Sequence, residues 1–199
     1  MMRTGETAVR SGRFVEAEQA FRNALREAEG SNTLSGKTLI QLARVQTELE
    51  NFSKAAPLAA RAVSVLKRVS APVDTQLADA LEISGKIQRA QKNYPEAEDF
   101  FKQALAVLEQ SKLGESIRTA ELLNSIALAL MDRRKYTEAE PLFERSFEIL
   151  AKALPLPKAT LQSTVHDLKL TYQILRKRNK AEALDRRFHG LVQSANKQV

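Results

Sequence analysis

The chain has 199 residues with no Cys, no Trp and only two His, which excludes disulfides, thiol chemistry and Cys-based metal sites. Its formal net charge of +7 is uneven: residues 1–70 carry +4, residues 71–158 carry −2 and residues 159–199 carry +5. Charge of this size bears on solubility and anionic partners, not on fold.

The predicted elements are helices throughout, and they come in pairs. Residues 1–30 hold a shortened first helix with Gly5 and Val9, then RFVEAEQAFRNALREAE (13–29), where Phe14, Ala17 and Phe21 fall at helical spacing. Gly30-Ser31-Asn32 breaks the chain. Residues 36–70 repeat the pattern, with Leu39, Leu42 and Ala43 preceding Ala55, Leu58, Ala59 and Ala62 of NFSKAAPLAARAVSVLK (51–67).

After Ala71-Pro72, residues 76–111 place Leu77, Ala80, Leu81, Ser84, Gly85 and Ile87 on one side of a first helix. Pro95 is expected at the first position of the second helix, where a missing N–H costs nothing. The core stripe of that helix is Ala97, Phe100, Phe101, Ala104, Leu105 and Leu108. Gly85 and Ala97 let two backbones approach, and Phe101 fills the space beyond them.

Gly114 separates the next pair, residues 118–154, with Leu123, Ile126, Ala127 and Leu130, then Ala139, Leu142, Phe143, Phe147 and Leu150. Beyond Pro155-Leu156-Pro157, residues 160–194 form a weaker copy that ends in RNKAEALDRRFHGLVQS (178–194). There Lys169 replaces a small residue, Arg178 an aromatic, and Phe188 stands at a small position, the departures of a capping repeat.

The alanines shared by the five copies are Ala17, Ala55, Ala97, Ala139 and Ala181, spaced 38 residues and then three times 42. A period of this size marks a solenoid, in which each hairpin packs only on its neighbours. The expected fold is all-α, one array over residues 1–199. Such an array displays a surface instead of building a catalytic pocket.

The recurring letters also carry a family resemblance. A small residue in the middle of the first helix (Gly5, Ala43, Gly85, Ala127) and an aromatic at the turn (Phe14, Phe52, Tyr94, Tyr136) precede Ala-x3-Phe (Ala17 to Phe21, Ala97 to Phe101, Ala139 to Phe143). This resembles the tetratricopeptide repeat, and the 42-residue spacing is similar to the kinesin-light-chain type. LLNSIALAL (122–130) followed by KYTEAEPLFERSFEIL (135–150) is especially close to that type. The resemblance implies a right-handed superhelical solenoid of antiparallel hairpins whose first helices line a concave, peptide-binding groove.

Offset from the core stripe, the groove residues are Ile40, Arg44 and Thr47, then Glu82, Lys86 and Arg89. They continue as Asn124, Leu128 and Met131, then His166, Leu170 and Gln173, with Arg10 extending the stripe at the N-terminal side. The groove is therefore basic in the middle and apolar further along. That suits a protein or peptide with acidic and apolar or aromatic residues, and the family's mode has Asn124 holding a peptide backbone by its side-chain amide.

A second basic feature runs along the hairpin turns: Arg13, Lys54, Lys92, then Arg133, Arg134 and Lys135, then Arg176, Lys177, Arg178 and Lys180, thickened by Arg186 and Arg187. Such an edge suits phosphates of nucleic acid or of an anionic membrane surface, although no stacking aromatic lies among these residues. His166 and His189 sit in no metal or triad motif, and no Gly-rich phosphate loop is present. No cofactor, metal or catalytic residue is expected.

No apolar run is long enough to cross a bilayer, and the opening segment lacks the apolar stretch of a signal peptide. The abrupt start suggests a targeting segment or further repeats upstream, so the compartment stays open, with the cytoplasm favoured. Leu128, Met131, Leu170 and Ile174 suggest an exposed apolar strip and a homodimer. Three functional readings follow: a non-enzymatic adaptor binding a partner peptide in the groove, a self-associating assembly factor using the basic edge, and an accessory repeat domain of a larger protein.

Overall fold

The computed structural model describes residues 1–28, 31–69, 74–111 and 113–196. Ten helices and no strand form among them: α1 (Met2–Arg10), α2 (Phe14–Glu27), α3 (Asn32–Glu48), α4 (Phe52–Lys67), α5 (Asp74–Ala90), α6 (Tyr94–Gln110), α7 (Ile117–Asp132), α8 (Tyr136–Lys152), α9 (Lys158–Ile174) and α10 (Arg178–Asn196). They pair as five hairpins whose limits follow the five sequence repeats within a few residues. The breakers Gly30 and Ala71-Pro72 lie outside the described residues. Elsewhere Ser31 caps α3, its Oγ accepting from the Leu34 N–H at 3.3 Å, and Ser116 caps α7 by accepting from the Thr119 N–H at 3.2 Å.

One local device makes every hairpin. The first helix ends, one residue takes a left-handed conformation, and the second helix starts two residues later. The left-handed residues are Gly12, Glu50, Lys92, Arg134 and Arg176, with φ of 69°, 57°, 64°, 59° and 58°. Each turn closes with the paired hydrogen bonds of a Schellman motif. In the third, the Lys92 N–H donates to the Arg89 carbonyl and the Asn93 N–H to the Gln88 carbonyl, both at 2.9 Å. In the fifth, the Arg176 N–H reaches the Gln173 carbonyl at 3.1 Å and the Lys177 N–H the Tyr172 carbonyl at 2.8 Å. Pro95 falls at the second helical position instead of the first, still within the turn whose N–H groups have no intrahelical partner. Pro57 and Pro141 lie deeper, at the sixth positions of α4 and α8.

The chain divides into two compact units, Met1–Val107 and Leu108–Val199. In the first, Ala8, Ala17, Phe21, Leu42 and Val45 form one cluster, and Leu39, Ile40, Ala43, Ala55, Ala59, Leu66, Ala80 and Ile87 belong to another. Small residues set the approach of the paired helices. A Cβ added at Gly85 would stand 2.5 Å from Phe101 Cε1, and one at Gly5 would stand 2.5 Å from Phe21 Cε1. Real Cβ atoms do not come that close, so the glycines are what lets each phenyl ring lie flat on the facing backbone. Gly36 receives Leu66 in the same way.

In the second unit Leu122, Leu123, Ile126, Ala127, Phe143, Phe147, Leu150 and Leu161 are buried, and Ser146 Oγ, also buried, donates to the Ala120 carbonyl at 2.9 Å. Its last hairpin follows a different rule. Lys169 stands where Gly85 stands two repeats earlier, Asp185 where Phe101 stands, and the two side chains meet as an ion pair at 2.5 Å.

Candidate partner-binding faces

In the first unit the stripe expected on the first helices is only partly available. Ile40 is 3% exposed and belongs to the core cluster with Ala80 and Ile83, because these neighbours leave room for a branched side chain between α3 and α5. It therefore offers nothing to a ligand. Arg44 and Thr47, further along α3, are half-buried, and Arg10 is exposed at the end of α1. Glu82 is buried, with Lys86 Nζ 2.7 Å from its Oε1. Lys86 is thus balanced within its own helix, and the middle of the stripe is less basic than its letters imply. Arg89 is half-buried at the end of α5.

The second unit holds the apolar part of the stripe on α7 and α9. Asn124 Nδ2 donates to Thr164 Oγ1 at 2.6 Å, and Thr171 Oγ1, whose proton goes to the Asp167 carbonyl at 2.8 Å, lies 3.6 Å from Met131 Sδ, so the two first helices lie side by side. Thr164 in turn donates to the Thr160 carbonyl at 2.9 Å, which fixes its hydroxyl as the acceptor for Asn124. Asn124 Oδ1 is buried and has no hydrogen-bond partner among the described residues. Around it Leu128 and Met131 are half-buried, while His166, Leu170 and Gln173 are exposed. Leu170 and Ile174 are among the large apolar side chains most open to solvent, at 40% and 43%.

The basic edge takes a different form from the one expected. Arg134 and Arg176 are exposed turn residues, Arg133 is half-buried, and Arg178 pairs with Glu182 one turn along α10 at 2.9 Å. Lys177 Nζ donates to both oxygens of Glu140, and Lys180 Nζ reaches Glu140 at 2.8 Å and Glu144 at 2.9 Å. Arg187 adds a fork to Glu148 at 2.7 and 3.1 Å and lies over the Phe147 ring, 4.8 Å from its centroid. Tyr172 donates to Glu144 at 2.7 Å beneath Lys180.

Burial pushes the Glu140 carboxyl up, but hydrogen bonds from Lys177 and Lys180 outweigh it and hold the group below its ordinary value. The Arg187 hydrogen bond does the same for Glu148. Burial, then Glu144, pushes the Tyr172 phenol up. The network therefore joins α8 to α9 and α10 and spends much of the edge's charge inside the protein. Reading the turns alone missed it; the signal was Glu140, Glu144 and Glu148, one helical turn apart on α8 and one repeat before their cations.

Among the described residues no group of three or more His, Asp or Glu is arranged to hold a metal ion, and no helix is long and apolar enough to cross a membrane. The model of the tetratricopeptide repeat family matches residues 34–110 and again 76–152. No curated protein matches the chain by sequence. Among solved structures, BtubC (BKLC) from P. vanneervenii is similar with a TM-score of 0.85 at 20% identity, over 96% of this chain and 78% of that one. The apo form of RapI gives 0.83 at 16% identity, over 98% and 70%. A Podosopora anserina putative kinesin light chain with nearly identical TPR-like repeats gives 0.75 at 18%, over 98% and 93%. At such identities the likeness shows the fold alone, an all-α repeat fold that kinesin-light-chain-like repeats share. Two overlapping family matches that together span more than half the sequence show that the chain belongs to the tetratricopeptide repeat family, a class of protein-interaction scaffolds.

Proposed function

We propose that the chain is a non-enzymatic adaptor that binds a peptide segment of a partner protein along the faces of its first helices. The observation that carries this reading is Asn124. Its amide is oriented by Thr164, its Oδ1 is a buried acceptor without a donor among the described residues, and Leu128 follows one turn along α7. An unmet buried acceptor costs about 1–3 kcal/mol, and a turn of the side chain that brings it to a peptide N–H recovers that cost. On the second unit Leu128, Met131 and Leu170 supply the apolar contact for an aliphatic or aromatic side chain of a peptide. On the first unit Arg10 and Arg44 favour carboxylates.

A peptide library selected against the immobilised protein tests this reading. The adaptor reading expects enriched sequences that pair acidic with apolar or aromatic residues. Binding of peptides with an apolar or aromatic anchor should fall at least tenfold on Asn124→Ala or Leu170→Asp, and binding of acidic peptides on Arg44→Glu, with unchanged helical circular dichroism. Enriched peptides that bind all three variants as they bind the parent would refute the assignment of these faces. The alternative of a basic edge that holds nucleic acid or an anionic surface is weakened by the pairing of Lys177, Lys180 and Arg187 with Glu140, Glu144 and Glu148.

A further inference from the structure

The second helices repeat one acidic position. The residue after the shared alanine is Glu18 in α2, Glu98 in α6, Glu140 in α8 and Glu182 in α10, the last paired with Arg178. Each of these carboxylates has cationic or amide donors around it. Glu18 takes Arg22 and Gln46, Glu98 takes Lys102 at 2.6 Å, and Glu140 takes Lys177 and Lys180. In α4 the same position is Ala56, and the helix has no acid at all: its charged residues are Lys54, Arg61 and Lys67.

A cleft of about 420 Å³ opens at that place, within the first unit. Ala56, Pro57, Ala60 and Val63 form one wall, Phe100 another, and Gln88 part of the floor. Two repeats on, the equivalent groove has a similar volume, about 440 Å³, but Glu144, Phe147 and Tyr172 line it in place of Ala60, Val63 and Gln88, so the two clefts differ in chemistry, not in size. Phe100, which its spacing assigned to the core, is instead half-exposed on this cleft. Gln88 occupies the place that Gln46 takes beside Glu18. Its Oε1 accepts from Asn93 Nδ2 at 2.9 Å, which orients the amide and leaves Nε2 with no acceptor among the described residues.

We infer that this outer cleft is a second docking site, distinct from the first-helix faces, for an acidic segment of a partner protein. A carboxylate of that segment takes the place left by the missing glutamate and accepts from Gln88 Nε2, and an adjacent apolar side chain packs between Ala60, Val63 and Phe100. Lys54 and Arg61, both exposed on α4, supply the long-range attraction. The volume lies in the range of clefts that hold a compact group, about 300–1,000 Å³. The chemistry committed to is protein: the cleft has an apolar wall and a single amide donor, which suits one carboxylate on an apolar stem better than a row of phosphates.

Ala56→Glu tests the inference, because it restores the residue that the four sister helices carry and so preserves the fold. The probe is a fluorescein-labelled peptide, acetyl-Glu-Glu-Leu-Phe-Glu-Glu-amide, read by anisotropy, beside a version with Lys for every Glu. The acidic peptide should bind the parent protein and weaken as salt rises, while the Lys version does not bind. Ala56→Glu should lower affinity at least tenfold and Arg61→Glu about threefold or more. In amide spectra of the parent, shifts should centre on Ala56, Ala60, Gln88 and Phe100. Equal binding by Ala56→Glu and the parent, equal binding of the two peptides, or no binding at millimolar peptide would overturn it. Arg44→Glu separates the two sites: loss of binding there with retention in Ala56→Glu places the peptide on the first-helix face and sinks only the outer cleft.

Discussion

Four of the five hairpin turns put an ordinary L-residue where the backbone favours glycine, so Glu50→Gly, Lys92→Gly, Arg134→Gly and Arg176→Gly should each stabilise the protein. A non-glycine residue held left-handed costs about 1–2 kcal/mol. Glycine removes that cost but brings more freedom to the unfolded chain, a penalty of about 0.4–1 kcal/mol. The net gain is about 0.5–1 kcal/mol per turn. All four side chains are exposed, so little packing is lost with them. The four sites stand one repeat apart and their effects should add, to about 2–4 kcal/mol.

Gly12 supplies the opposite control. Its φ is 69° and a Cβ there would meet nothing within 4 Å, so Gly12→Ala carries a conformational cost and no steric one. It should destabilise the first hairpin by about 1 kcal/mol. Because repeat arrays need not unfold in one step, the sharper assay is hydrogen exchange at the amide that closes each turn, such as Asn93 N–H. Thermal melts should rise in parallel, by about 2–4 °C per kcal/mol for a chain of this size. A drop in protection for Lys92→Gly, of the size glycine causes inside a helix, would show that the turn does not govern the hairpin. A neutral Gly12→Ala would say the same.

Three further outcomes follow from the packing and the ion network. Gly85→Val drives side-chain atoms into the Phe101 ring and should cost about 1–3 kcal/mol by overpacking, measured by urea denaturation. Glu140 has a depressed folded pKa, so its contribution is complete above its ordinary value near 4.5 and is lost as pH falls below it. Protection of α10 amides, corrected for intrinsic exchange, should therefore fall below pH 4.5 in the parent and show a much flatter pH dependence in Glu140→Gln. Lys169→Ala and Asp185→Ala should each cost less than about 1 kcal/mol, because the pair is more than a third exposed, whereas Phe101→Ala should cost about 3–5 kcal/mol. Equal losses at the two places would contradict the distinct packing of the last hairpin.

The period of the alanines was enough to locate all five hairpins, because helix pairing depends on local spacing and on residues small enough to admit a neighbour. Gly85 and Phe101 were legible as a contact for the same reason. The candidate faces were less so. Ile40 and Arg44 lie one turn apart on α3, and periodicity alone does not tell which of them turns into the contact with α5; the volume left by Ala80 and Ile83 decides it. The ion network was hidden by distance, since Glu140 meets Lys177 only through the stacking of two second helices, 37 residues apart in the chain. Gln88 and Phe100 carry no signal of their own in the sequence; their meaning depends on Ala56, the one second-helix position of its kind without an acid.

Five hairpins share one pair of positions, 16 residues apart, where the first helix meets the second: Gly5 with Phe21, Ala43 with Ala59, Gly85 with Phe101, Ala127 with Phe143, and Lys169 with Asp185. The second pair is small on both sides, and it belongs to the hairpin whose second helix also lacks acids and borders the outer cleft. The fifth pair is charged on both sides, with 39% and 36% of its side chains exposed. A ring against a bare backbone works only where both sides are dry, since most of its stabilisation is apolar area removed from water. An exposed ion pair contributes little to stability but tolerates water. The repeats that keep the ring therefore serve the core. The two that abandon it do so in opposite ways, one with alanine on both sides beside an apolar cleft and the other with a wet, charged face.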